Sequence, residues 1–234
     1  MRSTTILLIY INCLIIPLFE IRLHLEHPDE NQYDGLARVR DEQGRLALLV
    51  NKGRLTRNQG RILSPIGGAF EYNQAGRRHL ERLGAIDFEG DKHSPVVPDL
   101  RFRVPDNKVN DVITWFQTRR QRERTVLREL TEELTTETGL LTPDTLRIVS
   151  EAYSGFFRFD ARTMRDVPER TTVYLMEIFD VVLAPATMRR LLAAASGPPN
   201  RRWIHFVTPA ELARGTGGRT DDGIEIGQIS QFIV

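Results

Sequence analysis

Cysteine is nearly missing from this chain: Cys13 stands alone among 234 residues. No intramolecular disulfide can form and no cysteine-based zinc site can be built, which fits a reducing compartment for the folded part. Net charge is missing as well. Lys and Arg number 32 against 31 Asp and Glu, a formal charge of +1. That balance does not steer the chain toward nucleic acid or an anionic bilayer, and no direct DNA or RNA binding is expected. Lysine is scarce, with only Lys52, Lys92 and Lys108. Arginine suits bidentate phosphate contacts, but genomic base composition explains its excess as simply. The five histidines (His24, His27, His79, His93 and His205) show no H-E-x-x-H spacing and read as ordinary polar or structural side chains. Internal repeats and low-complexity tracts are absent. What is present is an apolar share of 41%, enough for the core of one domain with appendages.

Long apolar runs are few, and one stands out. Ile6 to Phe19 is almost wholly apolar, broken by Asn12 and Pro17. It falls short of the roughly 20 residues that a spanning helix needs, and extending it over residues 4–21 brings it to the border. Three readings compete: a membrane anchor through residues 4–21, the end of a longer membrane region, or a buried strand, helix or signal-like segment. A cleaved signal fits poorly, because only Arg2 precedes the run and no small-x-small site follows it. Residues 1–30 are therefore read as an apolar segment with a linker, and residues 31–234 as one folded domain.

Within that domain, residues 35–40 and 45–50 alternate like strands around a turn at Asp41-Glu42-Gln43-Gly44, which predicts a hairpin. Residues 62–71 lead through a glycine pair, where backbone can approach a ligand or a helix closely; the plain alternative is a loop at a strand edge. A helix is expected over 75–83 in an otherwise irregular stretch from 72 to 110, followed by a strand over 99–104. One long helix, bent near 120, is expected from Asn110 to Thr136, with Asn110 or Asp111 as its cap and Val112, Trp115, Phe116, Val126, Leu127, Leu130 and Leu134 as its apolar face. Strands at 146–151, 156–159, 172–182 and 203–207, a helix at 186–195 and a Thr208–Pro209 helix start complete the pattern. Strands with helices on both sides make a mixed three-layer architecture.

The chemistry concentrates in Arg128-Glu129-Leu130-Thr131-Glu132-Glu133-Leu134. Helical spacing puts Glu129, Glu132 and Glu133 on one face, where like charges repel. Hard divalent cations take such oxygen ligands, and that arrangement suits metal-assisted attack on a phosphate. The plain alternative is a solvated acidic helix face.

Together with Pro65-Ile66-Gly67-Gly68-Ala69-Phe70-Glu71, this stretch resembles the Nudix family, whose signature is G-x5-E-x7-R-E-U-x-E-E-x-G-U with U aliphatic. Gly68 matches the opening glycine, and Arg128, Glu129, Leu130, Glu132 and Glu133 match the core. The two halves are separated by about 46 extra residues. The glutamate expected at 120 is Arg120, and the glycine expected at 135 is Thr135, with Gly139-Leu140 one turn later as its stand-in. The insertion, with Arg77-Arg78-His79-Leu80, Leu83-Gly84-Ala85, Asp99-Leu100-Arg101-Phe102 and Trp115-Phe116, resembles the Nudix domain associated with bacterial cyclic-oligonucleotide synthases (SMODS) in anti-phage systems. This likeness covers roughly residues 33 to 210.

The resemblance implies an α+β fold: a Nudix-like α/β/α sandwich with a mixed β-sheet and a long insertion inside the Nudix box. It implies Mg²⁺ or Mn²⁺ held by Glu129, Glu132 and Glu133, one of which serves as base. Arg128 would hold the loop–helix junction against Glu71 or Glu123, while Gly67, Gly68 and Glu71 face the substrate. Tyr72, Trp115 and Phe157 are read as core residues or as stacking platforms for a base. The implied function is metal-dependent hydrolysis of a phosphoanhydride-linked nucleotide. The alternatives are a non-hydrolytic sensor of a nucleotide second messenger in a membrane-associated defence system, and a ligand-free scaffold. A cytoplasmic domain anchored to the inner membrane by its N-terminus, and a homodimer, also follow from the resemblance.

Overall fold

Leu46, Ala47, Leu48, Leu49 and Val50 are all buried. A strand apolar on every residue needs cover on both faces, and that requirement sets the architecture. The computed structural model describes residues 29–88, 100–162, 171–198, 200–214 and 218–234. Its strands are β1 (Asp29–Val39), β2 (Leu46–Val50), β3 (Ile62–Ala69), β4 (Arg101–Val104), β5 (Ile148–Arg162), β6 (Thr171–Leu183), β7 (Ile204–Val207) and β8 (Glu225–Ile226). They form one mixed sheet in the order β5-β6-β1-β3-β2-β7, with β4 on β1 and β8 on β3. The apolar N-terminal run and most of the expected linker lie outside the described residues; Asp29 and Glu30 already belong to β1. No helix among the described residues is long and apolar enough to cross a membrane.

β1 is central. It runs parallel to β6 along most of its length, with Arg38 opposite Asp180. On its other edge it pairs with β4 near its start and with β3 near its end. β3 in turn changes partner midway: Ile66 to Ala69 face β1, and Leu63 to Pro65 face β2. Gly67 and Gly68 sit at this exchange. The expected hairpin across residues 41–44 does not form as a ladder. The turn closes, with Gly44 N–H donating to the Asp41 carbonyl at 3.0 Å. The strands then separate after a single bridge, Arg40–Leu46, because β2 takes β3 and β7 as its neighbours.

Helices α1 (Lys52–Thr56), α2 (Gln74–Arg82), α3 (Val109–Gln117), α4 (Leu127–Thr131), α5 (Pro185–Ala195) and α6 (Pro209–Leu212) fill the connections. One core cluster joins Leu80 of α2, Val112 and Phe116 of α3, Leu130 of α4 and Leu191 of α5 to Ala37, Val39 and Phe179 of the sheet. The other joins Leu36, Met176 and Ile178 to Leu212 of α6 and Ile233 near the C-terminus. The sheet is thus covered on both faces, as expected.

The single helix expected over 110–136 is two helices. Residues 118–124 are seven polar residues in succession, and only Arg122 among them is buried. Arg119 and Gln121 turn left-handed, with φ of 55° and 65°. The chain then runs extended beside residues 71–73, where Glu123 N–H donates to the Glu71 carbonyl at 2.7 Å and Asn73 N–H to the Gln121 carbonyl at 3.1 Å. Tyr72 and Arg122 form the bridge, so the insertion leaves and returns at one point. Arg122 fixes that return. Its side chain is buried, lies 3.7 Å from the Phe116 ring centroid and binds Glu177 at 2.6 Å. Neither Asn110 nor Asp111 caps α3, which starts from the 3₁₀ turn Asp106–Lys108. The two strands expected at 146–151 and 156–159 are one bulged strand, β5. Thr208 does cap α6 in a full capping box with Glu211.

Candidate functional site

The site begins with two glycines, at each of which a side chain would collide with a neighbour. Gly67 has φ of +146°, and a Cβ there would strike the Gly35 carbonyl oxygen across the β1–β3 ladder. A Cβ on Gly68 would fall on the carboxylate of Glu129. The glycine pair thus lets β3 and α4 approach until side-chain carboxylate meets backbone.

α4 carries that carboxylate. Its first turn is anchored by Glu151 on β5, which accepts the Val126 N–H at 2.8 Å. Beyond Thr131 the helix widens into a π turn over Glu132–Glu137, a distortion frequent at functional sites. Gly139, with φ of +64°, ends the helix with nothing near its Cβ position. It is a helix-terminating glycine.

Arg128 is the hub. It lies 3.0 Å from Glu71, 3.1 Å from Glu123, 2.7 Å from Glu129 and 3.1 Å from Glu132, and it donates to the Ala69 carbonyl at 2.6 Å. Both partners suggested for it in the sequence stand against it. Glu123 binds twice, since it also accepts the Glu71 N–H at 3.3 Å. Burial works to lower the guanidinium pKa, but Glu129, Glu123 and Glu71 outweigh it and raise the value above the usual one. Four carboxylates against one guanidinium leave three negative charges over.

Glu133 faces the other way and accepts the Gly67 N–H at 2.8 Å. Burial pushes its carboxyl well above the ordinary range; the Gly67 bond opposes this, and the like charges of Glu129, Glu137 and Glu132 add to it. Glu133 and Glu137 line a small polar cavity of about 130 Å³ with Gly67, Ser64, Asn51 and Lys52. Nothing in the sequence singled out Asn51, Lys52 or Glu137. Asn51 and Lys52 reach the cavity because β2 ends there, and Glu137 because the helix widens there.

The structure therefore gathers Gly67, Gly68, Glu71, Arg128, Glu129 and Glu133, with Glu132 on the exposed rim. All the donors are carboxylate oxygens, and the surplus of negative charge fits a hard divalent cation. Among the described residues, however, no three His, Cys, Asp or Glu side chains stand together as a ready-made cage. Glu129 and Glu132 are both turned toward Arg128. Tyr72 and Trp115 are core residues, while Phe157 is exposed and packs against Phe232.

The family model described as the SMODS-associated NUDIX domain matches residues 35–234. No curated protein and no solved structure matches the chain.

Proposed function

The chain belongs to the SMODS-associated Nudix family, which gives it a nucleotide-related role, and on that premise we propose that it hydrolyses a phosphoanhydride-linked nucleotide with Mg²⁺ or Mn²⁺. The observation that carries this reading is the surplus of carboxylates around Arg128, with the carboxyl of Glu133 held on the Gly67 N–H beside it. Glu129, Glu132 and Glu133 would hold the metal. When bound, such a cation neutralises phosphate charge and lowers the pKa of water. The chain's own part is otherwise positional. Gly67 and Gly68 keep the backbone open to the substrate, and Arg128 ties α4 to Glu71 and Glu123. Glu133, held on the Gly67 N–H, accepts the proton of the attacking water.

Cation binding is testable by itself. Mg²⁺ or Mn²⁺ should raise the melting temperature of the full chain by mass action, and Glu133→Gln should blunt the rise. An identical rise in the variant would remove Glu133 from the metal site.

A second reading is favoured by one observation: Arg128 already engages Glu129 and Glu132. In that reading the domain senses a nucleotide second messenger without cleaving it, in a defence setting, and signals to residues 4–21 as an inner-membrane attachment. A nucleotide that raises the melting temperature yet is recovered intact would select it.

A further inference from the structure

A second cavity lies away from the glutamates. It measures about 610 Å³ and shares no lining residue with the 130 Å³ cavity beside Glu133. It opens where the parallel strands β1 and β6 reach their carboxyl ends, at Arg38–Arg40 and Asp180–Leu183, and α5 closes it with Met188, Arg189 and Leu192. Its size lies within the range of roughly 300–1,000 Å³ typical of small-molecule sites, whereas the cavity beside Glu133 has room only for a compact group.

The walls are of two kinds. Val182, 51% exposed, Met188 and Leu192 are the apolar residues lining it toward α5. The rim is charged, and its pairing is uneven. Asp180 is held by Arg38 at 2.6 and 2.7 Å, and Arg38 is tied further to Ser154 at 2.5 Å. Asp41 is taken up by Arg45 at 2.7 Å. Arg40 is left with only a stretched 3.5 Å contact to Asp180, and exposed Arg189 has no ion pair among the described residues. Glu42 is the one rim acid left to oppose them. An ion pair already formed at the base, Arg40 held only at 3.5 Å, Arg189 with no ion pair among the described residues, and apolar lining beside them match one chemistry: an organic anion with an apolar body.

We propose that this cavity is a second small-molecule site, whose ligand carries a phosphate or carboxylate to Arg40 and Arg189 and lays its apolar part on Val182, Met188 and Leu192. The site stands independently of the reading given to the glutamate cluster. The arginines supply the charge-assisted contacts and the apolar lining supplies the burial, so inorganic anions alone bind weakly.

Calorimetric titration of the full chain with adenosine monophosphate, octanoate and inorganic phosphate tests this. The expected result is 1:1 binding of an organic anion, with the better probe naming its head group. The double variant Arg40→Met, Arg189→Met should weaken that binding at least tenfold, and Glu133→Gln should leave it unchanged. Both arginines are exposed, so the variant should fold; Val182→Glu, which spoils the apolar lining, gives the same test by another route. No binding of either organic probe, binding untouched by these variants, or inorganic phosphate binding as tightly (an adventitious ion only) would overturn the proposal.

Discussion

Burial first, and then the like charges of Glu129, Glu137 and Glu132, hold the Glu133 carboxyl above its ordinary range, and stability should depend on pH as a result. A carboxyl with a folded-state pKa above its unfolded value gives up its proton more easily in the unfolded chain. Its contribution is therefore full at low pH and is lost as pH rises from the ordinary carboxylate range through the raised folded value. Glu133→Gln, which still accepts the Gly67 N–H, should match the wild type near pH 4 and melt higher at pH 7.5. The rise should be roughly 2–4 °C for each kcal/mol relieved. Parallel pH slopes of melting temperature would refute this. The two glycines should behave differently from each other. Gly67→Ala combines a strained φ with a backbone collision and should cost about 3 kcal/mol or more. Gly68→Ala meets the tip of a side chain instead. It should cost less in thermal melts while displacing Glu129 and reducing the response to Mg²⁺.

At the scale of elements, the split Nudix box is closed by the antiparallel contact of residues 71–73 with 121–123, and Arg122–Glu177 locks it. Removing one partner of a buried pair leaves the other charge stranded. Arg122→Met should therefore destabilise by about 3–5 kcal/mol in denaturant titration, even with Arg119 still 3.2 Å from Glu177. A loss under about 1 kcal/mol would show that Arg119 suffices. Here the sequence was only partly legible. Most of β2, β4, β6 and β7, with α2, α5 and the Thr208 cap, follow from periodicity and turn or capping residues, which act locally. The break at 118–126 does not, because Arg122 is polar in sequence and buried in structure: its partner Glu177 is 55 residues away. The missing hairpin has the same cause, since β2 chooses β3 and β7 for burial and not the strand nearest in the chain. Glu137 stayed unseen because only the π turn gives it a place beside Glu133.

For the whole molecule, one sheet carries two separate candidate sites. The glutamate cluster forms where β3 passes from β1 to β2, and the arginine-rimmed cavity forms at the ends of β1 and β6. The full chain should be incubated with Mg²⁺ or Mn²⁺ and a panel of linear and cyclic nucleotides, and the products read by mass spectrometry beside Glu132→Gln and Glu133→Gln. The wild type should cleave a phosphoanhydride, and Glu133→Gln should slow that cleavage by roughly 10²–10⁴-fold. Intact nucleotides throughout the panel, or cleavage that survives in Glu133→Gln, would contradict hydrolysis at the glutamate cluster.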